Sequence, residues 1–226
     1  VNEKPVLFTV NIHYHKNPGE GTAVTDSTEA GFVFYKDGDV IDYVVETNLL
    51  PHRGWTIPAG EPNYEVNNTY DITEDIFLLS MGPHMHYRGK AMRYELEYPD
   101  GEREVLLWVP DYDFNWQFLY EYETPKFIPA GSTIHMSWWF DNSTGNRWNP
   151  DPAADVVYGL ATTDEMANAR IYFAPTTPQG IVVGEEIPPA ILERAISADK
   201  RRRERTKLLD QNEDDLNWLT EDENSR

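Results

Sequence analysis

Two imidazoles separated by a single residue, His84 and His86 in "GPHMHYRGK", are the side chains of this sequence best suited to chemistry. On an extended strand, residues two apart project to the same side, so both rings can reach one ion. His13 and His15 in "VNIHYH" stand in the same relation, with Val10, Ile12 and Tyr14 turned the other way. The chain has six histidines and no cysteine, so imidazole, thioether and carboxylate are its available donors for a transition metal. Met166, between the acidic pair Asp164 and Glu165 and the β-prone run "ARIYF", is a candidate third donor. A thioether beside two imidazoles suits copper, Cu(I) above all, rather than zinc or magnesium. The same residues serve a plainer purpose equally well: a polar pair on the wet face of a strand, and a methionine that fills core. The pattern alone leaves both open.

Other chemistries are poorly represented. His135 alternates with Ile134 and Met136 in "STIHMSWW", the placement of a surface or hydrogen-bonded histidine, and His52 beside Pro51 and Arg53 reads as structural or exposed. Tyr87, Trp139 and Tyr172 read as packing residues. No Gly-rich phosphate loop lies between a strand and a helix, and there is no nucleophile elbow. Carboxylate pairs carry little information in a chain with 39 acidic residues. Two sequons, at Asn67 and Asn142, match only a short pattern.

Residue 166 must be brought beside residue 84, and the scaffold that could do so is legible. "AGFVFY", "VIDYVVET", "AMRYELEY", "EVLLWV", "STIHMSWWF" and "RIYFAP" are rich in β-branched and aromatic residues. "NPGEG", "KDGD", "PDGE", "PAG" and "NSTGN" punctuate them as turns, and "PDGE" closes a hairpin. Short strands at this spacing predict an all-β chain, an antiparallel jelly roll or β-sandwich, with a short helical C-terminal extension. The Pro- and Gly-rich "NLLPHRGWTIPAGEP" marks a boundary. Residues 1–48 then read as terminal strands of an incomplete N-terminal domain, 49–180 as the sandwich, and 181–226 as a helical, charged extension.

A formal charge of -20 repels phosphate backbones and anionic membranes, which argues against nucleic acid as a partner. The basic run "KRRRER" sits among acidic neighbours and reads as a solvated helix face. No apolar run approaches the ~20 residues of a membrane helix.

Four stretches in order, "VNIHYH", "IPAGEPNYEV", "PHMHYRGKAM" and "TTDEMANARIYF", carry a resemblance over roughly residues 5 to 180. Together they resemble the copper type II, ascorbate-dependent monooxygenases, the group of peptidylglycine alpha-hydroxylating monooxygenase and dopamine beta-monooxygenase, and within it the C-terminal catalytic domain of bacterial members. The resemblance implies two jelly-roll-like domains with a copper centre each. It implies that His84, His86 and Met166 hold the oxygen-activating copper. His13 matches a ligand of the electron-transfer copper, whose other two histidines would lie upstream or in a partner chain. In the peptide-amidating members an arginine stands two residues before the first histidine, where this chain has Gly82. They carry a tyrosine four residues after the methionine, where this chain has Arg170, while Asn168 matches.

The function implied is a copper-dependent monooxygenase hydroxylating a C–H bond of a small-molecule or peptide substrate, with O2 and a reductant such as ascorbate, in an extracytoplasmic compartment. Asn168 and Arg170 are the implied substrate contacts. The competing reading is a non-catalytic copper-binding or structural domain of a larger assembly. A third is an unrelated jelly roll that uses the histidine pair for another metal or for none.

Overall fold

The computed structural model describes residues 25–194, 196, 197 and 200. His13, His15, the strand expected around them and the acidic tail lie outside the described residues. The described strands are β1 (Val40–Ile41), β2 (Glu46–His52), β3 (Thr56–Ile57), β4 (Tyr64–Asp71), β5 (Ile76–His84) and β6 (Gly89–Glu97). They continue as β7 (Arg103–Val109), β8 (Tyr120–Ile128), β9 (Thr133–Phe140), β10 (Val156–Val157), β11 (Ala167–Pro175) and β12 (Ile181–Val182).

Tyr43–Pro178 form one compact unit. Its two four-stranded antiparallel sheets run β2-β11-β5-β8 and β4-β9-β6-β7. Apart from the β6–β7 hairpin, successive strands of these sheets alternate between them in the order of a jelly roll, as expected for the fold class. The period-2 pattern decides which face is buried. On β9, Ile134, Met136, Trp138 and Phe140 are all inaccessible to solvent, while Thr133, His135 and Trp139 face outward. Ala167, Ala169, Ile171 and Phe173 of β11 and Leu78 of β5 meet them from the other sheet. The two alanines are small enough for Trp138 to reach across the core and donate its indole N–H to the carbonyl of Asn168 at 3.3 Å.

The hairpin of β6 and β7 forms as the sequence predicts, with Gly101 at φ 88° in the turn. His135 is hydrogen-bonded to Glu97 at 3.0 Å on the outer face. "NLLPHRGWTIPAGEP" is no boundary: β2 and β3 run through it, and β3 pairs with β10 inside the unit. β2 starts at Glu46, inside the stretch expected to belong to a preceding domain, and pairs with β11.

The second unit combines the stretch before Tyr43 with residues from Gln179 onward. In it β1 pairs with β12, Gly38 makes the "KDGD" turn at φ 87°, and a helix runs over residues 189–194 and includes 196, 197 and 200. Pro188 and Pro189 stand at its start, where a missing N–H costs nothing. "AGFVFY" adopts no strand; Phe32, Val33, Phe34 and Tyr35 are exposed, and β-propensity expresses fit to a half-buried sheet rather than a backbone preference. "VIDYVVET" is likewise not one strand but β1 and the start of β2. Among the described residues no helix is long and apolar enough to cross a membrane.

Leu96 has no solvent exposure, whereas Leu49 on the edge strand β2 is 42% exposed. Leu96→Ala is therefore expected to lower the unfolding free energy by about 2–5 kcal/mol. Leu49→Ala should change it by no more than about 0.5 kcal/mol. Urea denaturation of the two variants measures the contrast.

Candidate functional site

β5 pairs with β11 as far as His84, which lies opposite Asn168. Beyond it the ladder ends, and every buried main-chain N–H needs another acceptor. Met85 donates its N–H to the Tyr112 hydroxyl at 3.1 Å, and that hydroxyl donates back to the Met85 carbonyl at 2.8 Å. The N–H groups of His86 and Arg88 go to the two oxygens of Glu165, the second at 2.8 Å. Gly89 closes the turn on the carbonyl of His86 at 3.1 Å. His86 therefore lies off the strand, contrary to the expectation that one strand carries both imidazoles. The turn still brings the rings together, with centroids 5.3 Å apart and planes at 89°.

The tautomers follow from the partners. Gln117 donates its amide N–H to the carbonyl of Phe114 at 2.7 Å, which turns its oxygen toward His84 Nδ1 at 2.6 Å. His86 Nδ1 faces the carbonyl of Asp164 at 3.2 Å. Both acceptors lack a hydrogen, so both Nδ1 atoms carry one and the lone pairs reside on Nε2. Phe114 sets its ring against His86 and Tyr87 at centroid distances of 6.1 and 4.8 Å. His86 is buried and His84 half-buried.

Met166 sits immediately before β11, two residues ahead of the one facing His84. Its N–H donates to Glu165 Oε1 at 2.8 Å, and Asn168 donates an amide N–H to its sulfur at 3.2 Å. Asn168 is itself interior, 5% exposed, and accepts the Tyr158 hydroxyl at 3.2 Å. The matched asparagine thus orients the thioether rather than opening toward solvent. Among the described residues no three or more His, Asp or Glu side chains converge as a metal-binding group. The main chain of Met166 meets that of His86 at Glu165 Oε1, so the segment carrying the thioether adjoins the one carrying the imidazoles, and such a donor set would suit a soft, low-valent ion.

Two charged residues here escaped sequence reasoning. Glu165 has no solvent exposure, and burial pushes its carboxyl up to about 7 against three N–H donors and Arg88, which pull it down. Arg88 is 2% exposed; its Nε donates to Asn142 at 2.8 Å and its Nη1 to the Thr163 carbonyl at 2.7 Å. Desolvation lowers the Arg88 guanidinium, opposed by Glu165, Asp151 and Asp164. Asn142, one of the two sequon residues, is wholly interior and donates to the carbonyls of Pro58 and Ala154. The sole sequence signal was a charged pair flanking the candidate ligands, and nothing in it announced burial.

The remaining candidates separate. His52 ends β2 opposite Ala167, where its carbonyl accepts the Trp55 indole N–H at 2.9 Å. Gly82 lies directly opposite Arg170, and a Cβ on it would come within 2.9 Å of Leu119. Arg170 is exposed between Leu49 and Gly82, on the sheet face of His84 and about 7 Å further along the strand. Among the described residues no carboxylate forms an ion pair with it.

Comparison with known proteins gives a consistent relationship. DBH-like monooxygenase protein 1 of Mus musculus is 27% identical over 187 residues, covering 76% of this chain. The Homo sapiens protein of the same name is 25% identical over the same length. These support kinship with DBH-like monooxygenases, although the chain spans 28% of each relative's length. A structure of infectious bursal disease virus Gt strain shares 15% identity and a TM-score of 0.20 over 68% of this chain and 50% of that one, a likeness too slight to inform. No family model matches.

Gly89 in "HYRGK" has a steric reason to be glycine: a Cβ there would lie 2.6 Å from Met85 Cβ and 2.8 Å from the Tyr112 ring. Gly89→Ala should cost about 1–3 kcal/mol by forcing those groups apart. Urea unfolding gives the magnitude, and the Tyr112 ring shifts in NMR spectra report whether the clamp on Met85 has moved.

Proposed function

We propose that this chain forms the oxygen-activating portion of a copper-dependent monooxygenase, with His84, His86 and Met166 as the protein ligands. The observation that carries the proposal is the meeting of two Nδ1-protonated imidazoles with the chain segment of a thioether held by Asn168. The relatives' monooxygenase names point the same way. Copper bound there would supply the one-electron chemistry by which O2 oxidises a C–H bond. One oxygen atom enters the substrate as hydroxyl and the other leaves as water, with two electrons and two protons from an external reductant such as ascorbate.

The chain's own residues contribute preparation. Gln117 and the Asp164 carbonyl fix the imidazole tautomers, and Asn168 turns the sulfur. Arg170 is the proposed substrate contact: a guanidinium on the face of His84 with no ion pair among the described residues, suited to an anionic group. The arginine absent at position 82 is thus replaced by one on the adjoining strand, directly across the register. His13 is proposed for a second copper completed by upstream sequence or a partner chain, and the whole assembly for an extracytoplasmic location.

The purified chain is expected to bind copper, and His84→Ala and Met166→Ala to lose it, as read by metal analysis. If neither variant loses copper, the assignment fails. The imidazoles bind only when neutral, so copper affinity should weaken progressively as the pH is lowered. Ascorbate-dependent O2 uptake by a chain extended upstream tests catalysis. Copper binding without uptake would instead indicate a non-catalytic copper-binding domain.

A further inference from the structure

The carboxylate of Glu165 joins two segments that no strand pairing holds at that point. β5 stops at His84 and β11 starts at Ala167, leaving His86 and Met166 just past the end of the ladder. Glu165 Oε1 accepts the N–H of His86, 79 residues away in sequence, and that of Met166 at 2.8 Å. Oε2 accepts the N–H of Arg88 at 2.8 Å. The side chain is wholly enclosed, and the Arg88 guanidinium is spent on Asn142 and Thr163. Both oxygens are therefore left to the main chain of the two ligand-bearing segments.

The geometry of these bonds is demanding. A glutamine would set an NH2 group against main-chain N–H donors, since a carboxylate is acceptor-only and an amide is not. An aspartate keeps the charge but is one methylene too short to serve three N–H groups while holding its own backbone in place. That backbone is fixed independently: Glu165 donates its N–H to the Val157 carbonyl at 3.2 Å and accepts the Gly159 N–H at 3.1 Å.

We infer that Glu165 is the positioning residue of the metal site, a brace that sets the separation of His86 from Met166 before any ion arrives. Its bearing on metal binding rests on the copper reading proposed above. Glu165 touches neither donor atom; it acts through the main chain of both ligands.

Two measurements test this on the full chain. Without metal, the amides of His86, Arg88 and Met166 should exchange slowly with solvent deuterium, and together. Rapid exchange at any of the three in the wild-type chain overturns the brace, whatever the variants do. With Cu(I), Glu165→Gln and Glu165→Asp should weaken binding about 10- to 100-fold and lose the copper–sulfur scattering in X-ray absorption while imidazole scattering persists. Leu96→Ala, a destabilised variant at the far end of β6, should keep both affinity and copper–sulfur scattering. Unchanged affinity and scattering in the two carboxylate variants refutes the positioning role and leaves the copper reading intact. Protected amides in a wild-type chain that takes up no copper refute the copper reading and leave the brace intact. Should neither variant fold, wild-type amide exchange alone decides.

Discussion

A buried carboxylate that accepts three main-chain N–H groups is the interaction on which this site depends. Where β5 runs out of partners, the chain turns back through His86, Tyr87 and Arg88 with its N–H groups inside the protein. Leaving any of them unpaired would cost about 1–3 kcal/mol, and Glu165 satisfies two of them along with the N–H of Met166. Burying a charge is itself expensive, and these bonds together with the field of Arg88 offset only part of the cost. Tyr112 does the same for Met85 from the other side. The irregular segment is consequently fixed from two directions without belonging to a strand.

The jelly roll supplies what that carboxylate cannot. Antiparallel pairing of β5 with β11 puts His84 opposite Asn168, and this register fixes where Met166 must emerge. The second sheet reaches across the core to the same strands: Tyr94 donates its hydroxyl to the Gly82 carbonyl at 2.9 Å, and Trp138 bonds Asn168. Burial drives the Tyr94 hydroxyl far above its ordinary value, keeping it a neutral donor. Core packing and donor placement are thus the same problem here. A fold of this kind hosts many functions, so the functional argument rests on the site and on the two monooxygenase relatives rather than on the architecture.

Charge is distributed unevenly around the candidate site. The chain carries a formal charge of -20, yet on the face of His84 the charged group nearest along β11 is Arg170, with Leu49 and Gly82 as its cross-strand neighbours. Glycine at 82 leaves room for Leu119, and any side chain there would collide with it. Toward Arg170 a Cβ at position 82 would make only ordinary contacts, 3.6 Å and more from its side chain.

By itself the sequence determined the fold class, because the alternating residue types of β9 and β11 and the "PDGE" turn are local properties. It also singled out His84, His86 and Met166 as candidate donors, since donor chemistry belongs to residue type. It misjudged what depends on distant partners. The Pro-rich stretch at 48–62 looks like a linker but is stitched into the sandwich by β11 and β10. His86 looks like a strand residue but leaves the strand, because Glu165, 79 residues away, offers its N–H a better acceptor than any neighbouring strand. Glu165 and Arg88 were invisible among so many charges until burial singled them out. Residue type is written locally, whereas burial and hydrogen-bond partnership exist only once remote segments meet, and that meeting alone decided how the three candidate donors are held.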